Sequence, residues 1–173
     1  MAQEKINKMK EVLLDKLTVN MCVGNDKIGM QKAEKLIKKI TGKTPTKNTA
    51  KRRLAAWQIR VGLPIGYKVT LRGNEAKNFL KWILESKGKN FKGSSIDRNG
   101  NFSIGFSEYL DLNGMKYDAD IGILGFEVMV TFARPGYRIK KRLMRPNKVP
   151  QRHRISKDEV LDYMIDNFGV SII

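Results

Sequence analysis

Apolar and polar residues alternate with a period of two in four stretches of this chain, and apolar residues recur at three- and four-residue intervals in three others. The alternating stretches carry Leu17, Val19, Met21 and Val23; Tyr67, Val69 and Leu71; Phe102, Ile104 and Phe106; and Phe126, Val128, Val130 and Phe132. A period of two sends successive side chains to opposite faces, so each stretch predicts a strand with one apolar face. Thr44 to Asn48 predicts an edge strand, because Pro45 is tolerated only where no ladder donor is needed.

The helical spacings are equally regular. Ala33, Leu36, Ile37 and Ile40 follow a capping Asp26 and end at Gly42. Ala76, Phe79, Leu80 and Ile83 repeat the pattern after a start near Asn74, and Leu161, Met164, Ile165 and Phe168 repeat it behind a capping box of Ser156 and Glu159. A further short helix is expected within residues 1–14, through Ile6, Met9 and Leu13. One-faced helices need an apolar surface, and one-faced strands supply it. The fold class predicted is α+β: an open antiparallel sheet of about four to five strands, helices packed on one face, the other face bare, with long basic loops. The bare face carries Thr18, Asn20, Thr70 and Ser103, with Lys68 and Arg72 nearby.

Such a face is ordinarily just solvated; the charge changes that picture. Lys and Arg number 34 against 17 acidic residues, a net charge of +17 with a pI near 10.1. That excess opposes compactness and points to a polyanionic partner such as RNA. It is distributed over the chain, so the folded body, expected as one RNA-binding domain over residues 1–173, is the binding surface. Two segments concentrate it. Residues 49–66 carry Lys51, Arg52, Arg53 and Arg60 around Trp57, broken by Gly62, Pro64 and Gly66. Residues 134–154 carry Arg134, Arg138, Lys140, Lys141, Arg142, Arg145, Lys148, Arg152, His153 and Arg154, with Pro135, Pro146 and Pro150 opposing a regular helix. The second reads as an arm that orders on phosphate.

Catalytic chemistry finds little support. His153, the only histidine, lies between Arg152 and Arg154 without a carboxylate to orient it, and is expected as a polar RNA contact rather than a general base. Cys22, the only cysteine, is expected as a small buried or interfacial thiol; it allows no intrachain disulfide and suits a reducing compartment. Zinc-finger sets are excluded, and no glycine-rich phosphate loop is present. Neither cofactor nor metal is expected. Glu108, Asp111, Asp118 and Asp120 read as turn chemistry; the rival is a magnesium-dependent nuclease using Glu108, Asp111 and Asp120. A free RNA chaperone or assembly factor is a third possibility. Trp57 is placed to stack on a base, whereas Trp82 falls in a helix and is expected in the core. No apolar run reaches the roughly 20 residues of a membrane helix, and Glu4, Lys5, Lys8 and Lys10 break any secretory signal, so no membrane partner and a cytoplasmic location are expected.

Several motifs share one resemblance. Gln58 to Gly73 resembles the "KIRxGxPIGxxVTLRG" stretch of the universal large-subunit ribosomal protein family that carries 5S ribosomal RNA, the fifth protein of that subunit. Leu17 to Gly24 is similar to the family's first strand, Thr41-Gly42-Lys43-Thr44-Pro45 to its "TGQxP" turn, and Asn90 to Gly93 and Gly100 to Gly105 to its "DFRG" and "GNYSxG" segments. The segment from Arg134 through Tyr137, the basic arm and the capped last helix resemble the archaeal and eukaryotic branch. The resemblance implies a structural constituent of the ribosome, not an enzyme. It implies binding to 5S and 23S rRNA in the central protuberance, approach to the P-site tRNA, a bridge to a small-subunit head protein, and neighbours among other 5S-binding proteins. It places Asn20 and Thr70 on the face that meets 5S rRNA with the turn residue Lys43 beside them, Lys43 replacing the family's Gln and favouring phosphate; Thr44, Lys68 and Arg72 are expected at the rRNA with them. Arg134, Arg138, Lys140, Lys141, Arg142, Arg152 and Arg154 are expected as the arm's rRNA contacts. Arg52, Arg53, Trp57, Arg60, Gly62, Pro64 and Gly66 form the tRNA-facing loop.

Overall fold

The computed structural model describes residues 7–172. In chain order its elements are β1 (Leu13–Cys22), α1 (Lys27–Thr41), β2 (Thr46–Thr49), β3 (Pro64–Leu71), α2 (Gly73–Ser86), β4 (Asn90–Phe91), β5 (Phe102–Phe106), β6 (Phe126–Ala133), α3 (Arg138–Lys141), α4 (Lys157–Phe168) and β7 (Ser171–Ile172). Five strands form one open antiparallel sheet in the order β2-β3-β1-β6-β5. The α+β architecture is therefore the one the periodicities predict. The short parallel pair β4–β7, joining Asn90 to Ser171, carries no alternation long enough to announce it.

The apolar strand positions line one face. Leu17, Val19, Met21, Val69, Leu71, Val128, Val130 and Phe132 are buried there beneath Ala33, Leu36 and Ile37 of α1 and Ala76, Leu80 and Ile83 of α2. Each fully buried Leu or Ile contributes roughly 1.5–3 kcal/mol, far more than an exposed ion pair, so the apolar stripe decides where each helix lies. Local signals decide where each begins and ends. Asp26 accepts a hydrogen bond from the Ile28 amide at 2.9 Å, and Gly42 closes α1 by donating to the Lys38 carbonyl at 2.8 Å. Ser156 and Glu159 form the reciprocal capping box of α4.

Aromatic packing holds α4 at the β5 side of the sheet. Phe91 meets Phe102 at 4.7 Å, Phe102 meets Phe132 at 5.9 Å, and Phe132 meets Tyr163 of α4 edge-on at 5.5 Å between centroids. The buried face of α4 is Val160 and Met164, one residue round from the expected stripe, and Ile165 is 44% exposed. Tyr163 shifts the stripe, since the large ring docks on Phe132 and turns Ile165 outward.

The expected N-terminal helix is corrected. Lys8–Lys10 form a single 3₁₀ turn capped by Asn7, and Leu13 already belongs to β1; Ile6 lies outside the described residues. Leu13, Leu14 and Leu17 gain more by extending the sheet than by an isolated turn. Trp82 is half-buried rather than central, its indole N–H donating to the Asn113 carbonyl at 3.1 Å and its ring meeting Phe79 at 5.6 Å.

Candidate nucleic-acid interface

The register of the sheet assembles its bare face row by row. Thr46 and Lys68 lie opposite one another, Lys68 opposite Asn20, and Asn20 opposite Glu127, which faces Gly105. The next row runs from Thr70 through Thr18 and Met129 to Ser103. Small side chains let another molecule approach the backbone, and the hydroxyls and amides offer both donors and acceptors. Asn48 Nδ2 donates to Asn20 Oδ1 at 2.9 Å, which fixes Asn20's amide and leaves its own N–H₂ to the surface. Asn48 and Glu127 are part of this face; their alternating positions in the sequence carry them there, but nothing in composition singles them out.

Cys22 also lies on the bare side, opposite Gly66, and is exposed rather than buried; its thiol donates weakly to the Ile65 carbonyl at 3.4 Å. Gly66 is placed differently from the expected loop position. It is buried within β3, where a Cβ would stand 2.3 Å from the Met21 carbonyl oxygen. Its lack of a side chain is what lets β1 and β3 close.

The segment between β2 and β3 is a hairpin extension, not a structureless loop. The Ala50 amide donates to the Leu63 carbonyl at 2.8 Å and the Gly62 amide to the Ala50 carbonyl at 2.9 Å. Leu54 and Ile59 then exchange two hydrogen bonds of 3.0 Å, closing a tip that holds Trp57. Ile59 is buried beneath it, while Arg52, Arg53 and Arg60 are exposed and Trp57 is 69% exposed. Gly62 turns the chain at φ +84°, a conformation that disfavours side chains, and Pro64 opens β3. Arg52, Arg53, Trp57 and Arg60 are thus gathered on one rigid projection.

The arm leaves from the opposite end of the sheet, where Leu13 faces Ala133 and Leu17 faces Leu71. It is tied down by its uncharged residues. Tyr137 Oη accepts from the Ile155 amide at 3.1 Å and donates to the His153 carbonyl at 3.3 Å. His153 Nε2 is 2.9 Å from the Pro135 carbonyl, so this histidine staples the arm's two ends and is only half exposed. Arg134 is likewise turned inward and corrects the expectation of an RNA contact. It is 7% exposed, pairs with Glu159 at 2.5 Å and donates to the Arg154 carbonyl at 3.2 Å. Arg138, Lys140, Lys141, Arg142, Arg152 and Arg154 remain exposed.

Asp15 connects the arm to the sheet. It sits at a bulge in β1, and its carboxylate accepts from Arg72 and Lys141, each at 3.0 Å. Burial alone would push the Asp15 carboxyl up, but Lys141 and then Arg72 outweigh it and hold it below the usual range. Glu159 follows the same balance: burial raises it, while the Ser156 amide and Arg134 bring it lower. The break in alternation at Leu14-Asp15-Lys16 is the signal in the sequence that marks this bulge. Lys43 pairs with Glu75 at the start of α2, and Thr44 is exposed beside it, near the Arg72 end of β3.

Of the clustered acidic residues, Asp118, which lies outside the nuclease set, is the one whose carboxylate serves a turn and an ion pair among the described residues. Asp118 Oδ1 accepts from the Asp120 amide at 3.2 Å, and its other oxygen meets Lys39 at 2.8 Å, which holds Asp118 below the usual carboxylate range. Glu108 and Asp111 bound a 3₁₀ turn. Among the described residues no three His, Cys, Asp or Glu side chains converge on a common point.

Comparison with known proteins agrees with this geometry. The model of a family described as ribosomal protein L5 matches residues 7–60, and the model of the same ribosomal family's C-terminus matches residues 64–158. The large ribosomal subunit protein uL5 of Methanobrevibacter smithii is 43% identical over 168 residues, covering 97% of this chain and 99% of that protein. Its counterparts in Sulfurisphaera tokodaii and Sulfolobus acidocaldarius are 40% and 41% identical, each covering 98% of this chain and 97% and 96% of their own. Similarity of this extent, spanning both halves of one continuous sheet, makes the chain a member of the ribosomal protein L5 family, of the archaeal type.

Proposed function

We propose that the chain anchors 5S rRNA to the large subunit through the bare face of its sheet, with 23S rRNA on the arm. The hairpin tip then approaches the P-site tRNA. One observation carries this reading: two exposed cationic groups stand at opposite ends of the sheet, and the bare face between them is mainly small and polar, with Lys68 and Glu127 among its few charges. Between them lie the eight residues of β3, roughly 25 Å of strand. A small anion cannot bridge that distance, whereas a folded RNA presents phosphates along all of it. The face then sets orientation through backbone and base-edge contacts, and the cations supply affinity.

Membership of the family supports a structural ribosomal role, and with it a place in the ribosome within the cytoplasm. Membership of that family also favours a non-enzymatic protein. β1 and β2 come from the first matched segment and β3, β5 and β6 from the second, which supports reading the chain as one RNA-binding domain. Contacts with a small-subunit head protein and with other 5S-binding proteins complete the proposal. A competition titration at near-physiological salt, with magnesium, sets 5S rRNA against an unrelated structured RNA of similar length. A several-hundredfold preference for 5S rRNA is expected. Equal affinities would reduce the interaction to general electrostatics and overturn the reading.

A further inference from the structure

One row of the bare face carries an acid. Glu127 of β6 is exposed, stands between Asn20 of β1 and Gly105 of β5, and enters no ion pair among the described residues. In a chain of net charge +17, a free carboxylate on the very surface proposed to meet RNA needs a reason. Facing phosphates it repels; facing N–H donors it forms charge-assisted hydrogen bonds, roughly twice as strong as neutral ones.

Its neighbours define which donors fit. Asn20 Oδ1 is taken by Asn48 Nδ2 at 2.9 Å, so the Asn20 amide has its N–H₂ to offer. Directly opposed residues have Cβ atoms about 4.5–5.5 Å apart, which sets this donor beside the Glu127 acceptor. Gly105 leaves the other side of Glu127 open, since an added Cβ there would meet nothing within 4 Å. The surface thus presents one donor next to a two-oxygen acceptor, with room beside them for a flat group.

Only one RNA base has the complementary edge. The Watson–Crick edge of guanine carries an acceptor, O6, followed by two parallel donors, N1–H and N2–H₂. Adenine and cytosine set a ring-nitrogen acceptor beside their amino group, which would face the second carboxylate oxygen, and uracil has a single N–H between two carbonyls. We propose that Glu127 and Asn20 read an unpaired guanine of the bound rRNA, an inference that rests on the function proposed above. Glu127 accepts from N1–H and N2–H₂, and Asn20 Nδ2 donates to O6. Base pairing would occupy the same edge, so the guanine comes from a loop or bulge, where RNA offers its bases to such reading.

Charge gives the test its sign. If Glu127 is a stray acid on a cationic protein, Glu127→Gln removes a repulsion and tightens RNA binding. The guanine contact predicts the reverse: 5S rRNA affinity falls about tenfold, while the slope of log affinity against log salt stays unchanged. A nuclear magnetic resonance titration of the isotope-labelled full chain, at fixed ionic strength, supplies a readout without 5S rRNA. Guanosine 5′-monophosphate should shift the Asn20, Gly105 and Glu127 amides and bind about fivefold more tightly than adenosine 5′-monophosphate. Inosine 5′-monophosphate, which lacks the N2 amine, should fall between them. Glu127→Gln should erase that order, with unshifted core amides verifying its fold. Equal or tighter RNA binding by the variant, or equal affinities of the three nucleotides, would overturn the proposal. So would a loss seen only with magnesium present, the mark of a bridging cation. The 5S competition titration separates the two readings. A 5S preference fully retained in Glu127→Gln removes the guanine contact alone. Guanine selectivity at this face without 5S preference removes the anchoring function and leaves the contact.

Discussion

At the residue level the interface depends on which polar side chains are free and which are engaged within the protein. Asn20 and Thr70 stand on the open rows of the sheet, and neither supports the core. Asn20→Ala and Thr70→Val are therefore expected to weaken 5S binding several-fold while leaving the urea midpoint nearly unchanged; unchanged affinity in a titration would remove the sheet from the interface. Arg134 behaves in the opposite way. Its guanidinium is buried against Glu159 and the Arg154 carbonyl, so Arg134→Met should cost about 2 kcal/mol in urea unfolding, with RNA affinity of the folded protein little altered. Acidification probes Asp15 and Glu159, whose folded carboxyls lie below their ordinary values. A depressed value means the stability they add is complete above about pH 4 and is lost as pH falls through the lowered folded value. Thermal melts should thus be flat in this term from pH 5 to 8 and fall below about 4, less steeply in Asp15→Asn.

At the scale of the element, the hairpin extension and the arm show why charge-rich segments need not be loose. Ile59, buried under the tip, and the paired hydrogen bonds of Leu54 and Ile59 hold the projection together. Ile59→Ala should loosen the tip, seen as faster amide exchange across residues 54–59, without lowering global stability by more than about 1 kcal/mol. Gly66→Ala strikes the sheet instead, because the added Cβ meets the Met21 carbonyl; a loss of about 2 kcal/mol or more is expected, read by chemical unfolding. The capped helices were plain in the sequence because caps and stripes are local. The arm was not, because its order comes from Tyr137, His153 and Pro135, residues that look unremarkable beside so many cations.

The molecule as a whole carries positive charge throughout and concentrates it in two segments at opposite ends of the sheet. If six to ten phosphates are neutralised, affinity should drop roughly 10³ to 10⁵-fold between 50 and 200 mM salt. Removing the exposed arm cations Arg138, Lys140 and Arg142 together should lower the slope of log affinity against log salt by about 0.7–0.9 for each phosphate no longer neutralised. Titrations over that salt range measure both quantities. An unchanged slope would place the RNA away from the arm.

Periodicity determined the four alternating strands of the main sheet, its one-sidedness and the three amphipathic helices, and local cap residues determined the ends of α1 and α4, because a period of two or of 3.6 and a cap are properties of neighbouring residues. The motifs likewise carried the family. Only the tertiary structure decided which cations remain free, since that depends on partners far apart in the chain: Arg134 with Glu159, Lys141 and Arg72 with Asp15, Lys43 with Glu75. It also decided that the hairpin tip and the arm stand at opposite ends of the sheet. That separation follows from strand order and register, which are set by long-range pairing and not by any single segment.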